Sequence, residues 1–135
     1  MNKIWTFLSL ISLILVCGCD DEATCQSNEG IIGSWSMVNY FKAFTPELSF
    51  EKEEMIWDFM EDSIMLTVNT EIPMNTGIPF EYRMSGKLPY HVSFDTVTVD
   101  GLVCLYSISE DNSELVIDCF SSFDGQLMTF ESNCP

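Results

Sequence analysis

The sequence is poor in basic residues and holds a single histidine. Lysine and arginine together number 5 against 21 aspartates and glutamates, so the formal net charge is -16. A chain this acidic repels phosphate backbones and anionic lipid headgroups, and we therefore expect no nucleic-acid partner. His91 lies in a predicted strand and no serine carries an elbow motif. No nucleophile–base pair is visible, and we expect no enzymatic activity.

The chain also lacks the motifs that hold phosphates and metals. No glycine-rich phosphate loop is present. The cysteines after Cys19 do not have the spacing of zinc ligands, and Asp111, Asn112 and Glu114 lack the glycine and spacing of an EF-hand calcium loop. We therefore expect neither a metal nor a cofactor.

No apolar run is long enough to span a membrane as a helix, which takes about 20 residues. The longest, residues 5–16, follows Lys3 and has the length of a signal-peptide core. It ends at Val16-Cys17-Gly18-Cys19, which resembles the bacterial lipobox. The resemblance implies that residues 1–18 are a lipoprotein signal peptide and that Cys19 receives a lipid with acyl chains such as palmitate. The alternatives are an ordinary signal peptide with a chance cysteine, or an uncleaved anchor.

Three carboxylates, Asp20, Asp21 and Glu22, follow the predicted lipidation site. They resemble the surface-export signal of lipoproteins in Bacteroidota, which implies a lipid-anchored protein of the cell envelope, in the outer membrane or on the cell surface. In other bacteria an aspartate at this position implies retention in the inner membrane, which is the alternative. Residues 19–30 are interpreted as an acidic tether, with membrane attachment resting on the lipid.

Four cysteines remain beyond Cys19, and export predicts that they form disulfides. Two apolar runs flank Asp111-Asn112, and a hairpin centred on that turn places Cys104 opposite Cys119. Opposed residues in a hairpin lie within disulfide distance, so this pairing is predicted, and Cys25 then pairs with Cys134 by elimination. The alternative is that some of the four are free, buried thiols.

From residue 31 onward, short alternating segments rich in Val, Ile, Phe, Tyr and Thr recur between turn residues. The predicted strands cover residues 33–41, 55–60, 63–69, 80–85, 90–99, 102–108, 115–121 and 126–131, and for the strand at 90–99 a kink near Asp95 is the alternative to a straight strand. Eight strands joined mostly by tight turns predict an all-β domain over residues 31–135, a small antiparallel up-and-down barrel. A β-sandwich is the alternative.

The tripeptide Gly33-Ser34-Trp35 at the start of the first strand resembles the Gly-x-Trp signature of lipocalins. Residues 30–132 as a whole resemble the small lipocalin-like domains of bacterial lipoproteins, of the Bacteroidota type. In that family the tryptophan closes one end of the barrel and a basic residue near the last strand packs across it. This sequence departs from the pattern, because it has no lysine or arginine after Lys87.

Large apolar side chains are predicted to point into the barrel, and they are the candidates for a ligand pocket. They are Trp35, Trp57, Phe59, Leu66, Tyr82, Met84, Tyr106 and Phe130, with Phe80 on the same predicted face. A barrel of eight strands either fills with side chains or holds one small ligand. The sequence therefore supports two hypotheses: a module that binds a small apolar or amphipathic ligand, or a filled structural barrel. In the second, the loops at 45–54 and 70–79 contact an envelope protein or a surface glycan.

Overall fold

A computed structural model describes residues 30–120 and 124–134, and in this part of the chain the fold is all-β. It contains nine antiparallel strands and one 3-10 helix, Phe80–Tyr82. The strands are β1 (Gly33–Lys42), β2 (Leu48–Ser49), β3 (Met55–Phe59), β4 (Ser63–Val68), β5 (Gly86–Ser93), β6 (Thr96–Val99), β7 (Leu102–Ile108), β8 (Glu114–Cys119) and β9 (Gln126–Ser132).

Eight of the strands close into a barrel. From β3 to β9 each strand pairs with its neighbour in the sequence, and β1 closes the ring by pairing with both β3 and β9. The short β2 is an extra strand beside the end of β1. The prediction of an eight-stranded up-and-down barrel is confirmed, and the sandwich alternative is wrong because one continuous sheet closes on itself.

Two of the predicted strands are wrong, and the two errors cancel in the strand count. Residues 80–85 form the 3-10 helix after Pro79 and a bend, not a strand. Residues 90–99 belong to two strands, since the chain reverses at Phe94-Asp95 between β5 and β6. Phe94 makes this turn without a glycine by adopting a φ of 53°.

The two hairpins predicted in detail have the predicted register. In the β3–β4 hairpin Trp57 lies opposite Leu66, and in the β7–β8 hairpin Tyr106 lies opposite Ile117. Cys104 and Cys119 are joined by a disulfide with an S–S distance of 2.04 Å, which confirms this pairing.

At the turn of the β7–β8 hairpin the Asp111 carboxylate accepts hydrogen bonds from the hydroxyls of Ser109 and Ser113. These bonds, together with one from the Ser113 backbone, lower the pKa of Asp111 to about 2. The side chains thus fix the turn that sets the register.

Several sequence predictions concern residues that the structure does not describe. The signal peptide, Cys19, nearly all of the tether, and Cys25 lie outside the described residues. Cys134 is disulfide-bonded, but its pairing with Cys25 stays a prediction for the same reason. Among the described residues there is no helix of the length and apolar character that crossing a membrane requires.

A β-bulge in β1 changes which of its residues face the core. Met37 pairs with Phe130, but Asn39 pairs with Thr129, so Val38 is the extra residue. Because side chains alternate along a strand, the bulge moves the inward positions from odd to even numbers. Tyr40 is fully buried as a result, and β1 continues to Lys42 at the end of the barrel.

Large side chains fill the middle of the barrel. The largest fully buried ones are Trp35, Trp57, Tyr40, Phe130, Met37, Met55, Ile64, Leu66, Ile78, Leu115, Ile117 and Met128. The two buried tryptophans differ in their polar contacts. Trp35 Nε1 donates to the backbone oxygen of Ile31 at 2.9 Å, whereas Trp57 Nε1 has no hydrogen-bond partner among the described residues. The apolar core therefore occupies the place that a ligand would take in an open barrel.

The barrel has two distinct ends. At the terminal end, residues 30–32 and 133–134 meet, and Asn133 N donates to Ser34 O at 3.0 Å. The other end, which we call the mouth, is formed by the end of β1, residues 69–85 and the β6–β7 and β8–β9 connections. Both described chain ends thus leave from the end opposite the mouth.

Candidate functional site

A cavity of about 320 Å³ opens at the mouth. Its floor combines the ring of Tyr82 and the side chains of Val99, Cys119 and Gln126. Each of these four residues is buried, and the Cys104–Cys119 disulfide is part of this floor. The floor is therefore apolar over most of its surface, with one amide and one phenol as polar groups.

The polar groups of the floor form a small buried network. The Tyr40 hydroxyl lies 2.8 Å from Gln126 Oε1 and 3.0 Å from Gly77 O, so its one proton is shared between two acceptors. Gln126 also hydrogen-bonds the Tyr82 side chain. Its Nε2 lies 3.9 Å from Cys119 Sγ, which is a weak acceptor. One hydrogen of the Gln126 amide is therefore held only by a weak acceptor at the floor of the cavity.

Burial keeps both tyrosines of this network neutral. It raises the pKa of Tyr40 to about 12, with a smaller contribution from Tyr82. Burial also raises the pKa of Tyr82 to about 12; the Gln126 hydrogen bond opposes this shift, and the carboxylates of Asp100 and Glu81 add to it. Both phenols are therefore uncharged hydrogen-bonding groups below pH 10.

The raised pKa values predict that stability falls in alkaline solution. The pKa of each tyrosine in the folded state lies above the ordinary value of about 10. The two neutral phenols therefore stabilise the fold fully below pH ~10, and this stabilisation is lost as the pH rises toward 12. We expect the free energy of unfolding, measured in urea from pH 9 to 12, to decline over this window. Tyr82→Phe should make the decline shallower, while Tyr40 and Tyr90 retain part of it. An unchanged slope in Tyr82→Phe would contradict the assignment.

The rim of the cavity is mainly acidic. The carboxylates of Glu81, Asp100 and Asp124 face one cation, Lys42. Apolar contacts come from Pro79 and from Leu102 at the start of β7. A rim of this kind admits neutral or cationic amphipathic molecules more readily than anions.

The predicted pocket residues divide between the mouth and the filled interior. Tyr82 lines the cavity, and Trp57 lies directly beneath it, with ring centroids 5.0 Å apart. Trp35, Phe59, Leu66 and Phe130 are buried in the core. Tyr106 is half-buried, and its hydroxyl donates to Phe94 O at the terminal end.

The prediction that Met84 and Phe80 point inward is wrong. Both side chains are more than half exposed. Together with Tyr82 they alternate in the sequence with the polar residues Glu81, Arg83 and Ser85, as in a strand. In the 3-10 helix and the bend after it, however, only Tyr82 turns toward the core.

Sequence reasoning missed most of the rim. The sequence analysis assigns no role in the site to Lys42, Asp100, Asp124 and Gln126, although an aspartate followed by glycine, as at Asp100-Gly101 and Asp124-Gly125, is typical of a turn. In an up-and-down barrel every second turn lies at the same end, and both of these turns lie at the mouth. Applied to these two turns, the rule places the carboxylates of Asp100 and Asp124 at the same end of the barrel.

Among the described residues, no three His, Cys, Asp or Glu side chains are grouped so as to hold a metal ion. Comparison of the chain with protein-family models, curated proteins and solved structures finds no match.

Proposed function

We propose that this protein is an exported, lipid-anchored binding module that holds one small amphipathic molecule at the mouth of its barrel. The observation that carries the proposal is the cavity itself. Its volume of about 320 Å³ lies at the lower end of the range for small-molecule sites, and its apolar floor and few polar groups are typical of them.

The filled interior determines where such a ligand binds. The core beneath Tyr82 is occupied by fully buried side chains, among them Trp57 and Phe130. A ligand therefore sits above the core, between Tyr82 and the rim. Its apolar part contacts Val99 and Leu102, and its polar part meets the Gln126 amide and the rim carboxylates.

The position of the chain ends is compatible with a membrane anchor. Gly30, the first described residue, lies at the terminal end, and the predicted lipid on Cys19 precedes it in the chain. A tether that leaves from this end keeps the mouth accessible when the protein is attached to the outer membrane or the cell surface. The lipid attachment itself rests on the resemblance of residues 16–19 to a lipobox.

The cavity can be tested with a neutral fluorescent probe, N-phenyl-1-naphthylamine, and a matched pair of substitutions in β7. Leu102 lines the cavity and is 42% exposed, and Leu105 is 48% exposed on the same strand without lining it. We expect Leu102→Trp to fill the cavity and weaken probe binding at least ~10-fold, and Leu105→Trp to leave it unchanged. Equal binding by wild type and both variants would refute the proposal, provided that urea unfolding shows all three to be folded.

The filled core also supports the second function, a structural or interaction lipoprotein that contacts an envelope protein or a glycan. In that case native mass spectrometry of the full oxidised chain shows the bare protein mass. A discrete additional small-molecule mass supports the ligand-binding function instead.

A further inference from the structure

Three phenylalanines are exposed at positions where a bulky side chain is rare. Phe44, Phe94 and Phe120 have φ values of 66°, 53° and 57° and are 98%, 96% and 55% exposed. The left-handed region favours glycine and asparagine, because a larger side chain crowds the backbone there. An exposed phenylalanine in this conformation gains little from burial, so the fold itself does not explain the choice of residue.

Two of the three, Phe44 and Phe120, stand at the mouth. Lys42 of β1, Gln126 of β9 and Cys119 of β8 are paired side by side at this end of the sheet. Phe44 follows Lys42 by two residues, and Phe120 follows Cys119 directly. Leu102 is exposed and lines the cavity, and Phe80, also exposed, lies between the lining residues Pro79 and Glu81. We call Phe44, Phe80, Leu102 and Phe120 the apolar crown.

Negative charge surrounds the apolar crown. Glu81, Asp100 and Asp124 lie in the same rim. Two cations lie nearby: Lys42 in the rim, and Arg83, whose guanidinium group donates to the backbone oxygens of Ile78 at 2.8 Å and Met74 at 3.0 Å. The three carboxylates outnumber them. Aromatic side chains bordered by charge have the composition of a protein interface, with apolar anchors inside and a polar rim outside.

We propose that the apolar crown is a docking surface for another protein, one whose contact face has an apolar pocket bordered by lysine or arginine. Charge complementarity selects this occupant. A second copy of this chain carries the same excess of carboxylates around its crown and the same formal net charge of -16, which is repulsive. An anionic membrane is repelled by the same groups. The inference goes beyond small-molecule binding. Because Leu102 lines the cavity and each phenylalanine of the crown lies within two residues of a lining residue, the docked partner covers the cavity opening.

The opposite end of the barrel supplies a matched control. Phe94 has the same residue type, backbone conformation and exposure as Phe44 but lies at the terminal end. Asparagine tolerates positive φ, so Phe44→Asn, Phe120→Asn and Phe94→Asn remove the ring without a new backbone conflict. Urea unfolding of each variant verifies that it is folded.

The probe is a fluorescently labelled amphipathic peptide of leucine and lysine, titrated against the full oxidised chain. Its control is a serine–lysine peptide of equal length and charge. We expect the double variant Phe44→Asn/Phe120→Asn to bind the leucine–lysine peptide at least ~10-fold more weakly, and Phe94→Asn to bind it like the wild type. Added salt should weaken wild-type binding, and Asp124→Asn should reduce that salt effect.

The proposal would be overturned if the double variant bound the leucine–lysine peptide as tightly as the wild type does. It would also be overturned if the wild type bound the leucine–lysine and serine–lysine peptides equally. Crown-dependent partition into phosphatidylcholine vesicles without crown-dependent peptide binding would assign the surface to a membrane, and a crown-dependent dimer in sedimentation would assign it to a second copy. Naphthylamine binding in the double variant separates the two proposals, because Leu102 and the cavity floor are retained there.

Discussion

Replacement of Gly125 by alanine is expected to destabilise the barrel by about 3 kcal/mol or more. A Cβ atom built at Gly125 would lie 1.8 Å from Cys119 O and 2.4 Å from Phe120 O. These atoms belong to the backbone, so no side-chain rotation relieves the overlap. The Gly125 N–H also donates to Phe120 O at 3.1 Å, and a backbone shift would break this bond. The loss should appear as a lower urea midpoint followed by tryptophan fluorescence.

Gly86→Ala is the matched control for this substitution. Gly86 begins β5, and an added Cβ there meets no atom within 4 Å. The change should be neutral or stabilise the fold by up to about 1 kcal/mol, because alanine lowers the entropy of the unfolded chain. If Gly125→Ala were as stable as Gly86→Ala, the β8–β9 connection could shift its backbone to make room for a Cβ atom. The short distance from Gly125 to the backbone of Cys119 and Phe120 would then not require glycine.

Removal of the Cys104–Cys119 disulfide is expected to cost about 3 kcal/mol. The bond closes a loop with a sequence separation of 15, and a loop of that size is worth roughly this amount in the chain-entropy model. The double variant Cys104→Ala/Cys119→Ala is the appropriate one, since it leaves no free thiol. Because Cys119 is part of the cavity floor, the variant should also bind the naphthylamine probe differently from the wild type.

Reduction supplies an independent check on the disulfide. A wild-type chain unfolded in the presence of a thiol reductant should lose stability to a similar degree or more, because Cys134 is disulfide-bonded as well. A loss below about 1 kcal/mol in the double variant would mean that the unfolded chain is already restricted by residual structure in this hairpin.

Sequence reasoning succeeded for hairpins, in which the paired strands are adjacent in the chain. The β7–β8 hairpin has a clear turn at Asp111-Asn112 and clean alternation on both sides, so its register followed from counting, and the disulfide followed from the register. The same holds for Trp57 opposite Leu66 in the β3–β4 hairpin. Local pairing is set by the turn and the pleat, and both are visible in a single sequence.

It failed where the backbone adopts an unusual conformation. The β5–β6 turn places Phe94 at positive φ. Asp95 beside it is a common turn residue, but without a glycine or proline it indicates a kink in the strand and not a reversal of the chain. Between Pro79 and Ser85 the alternation of apolar and polar residues is like that of a strand, but the chain forms a 3-10 helix whose Tyr82 is buried. In the second of these places tertiary packing, through the burial of Tyr82, overrides the local pattern.

The candidate site depends on a third irregularity, the bulge at Val38. Without it Asn39 would face the core in place of Tyr40, and the Tyr40–Gln126 contact would not form. Two adjacent apolar residues, Met37 and Val38, are the sign in the sequence that the inward face changes there. The pattern alone cannot place the bulge, because the partner strand β9 is distant in the sequence.

The pairing of β1 with β9 has a consequence for biosynthesis. Every other pairing in the ring joins strands close in the chain, so those hairpins can form as soon as they are made. Synthesis starts at the N-terminus, and β1 therefore waits for the last strand before its second edge is covered. Until then the nascent chain is a curled sheet with two open edges, each able to pair with a neighbouring chain. A premature stop before β9 would thus yield an aggregation-prone fragment, not a smaller barrel.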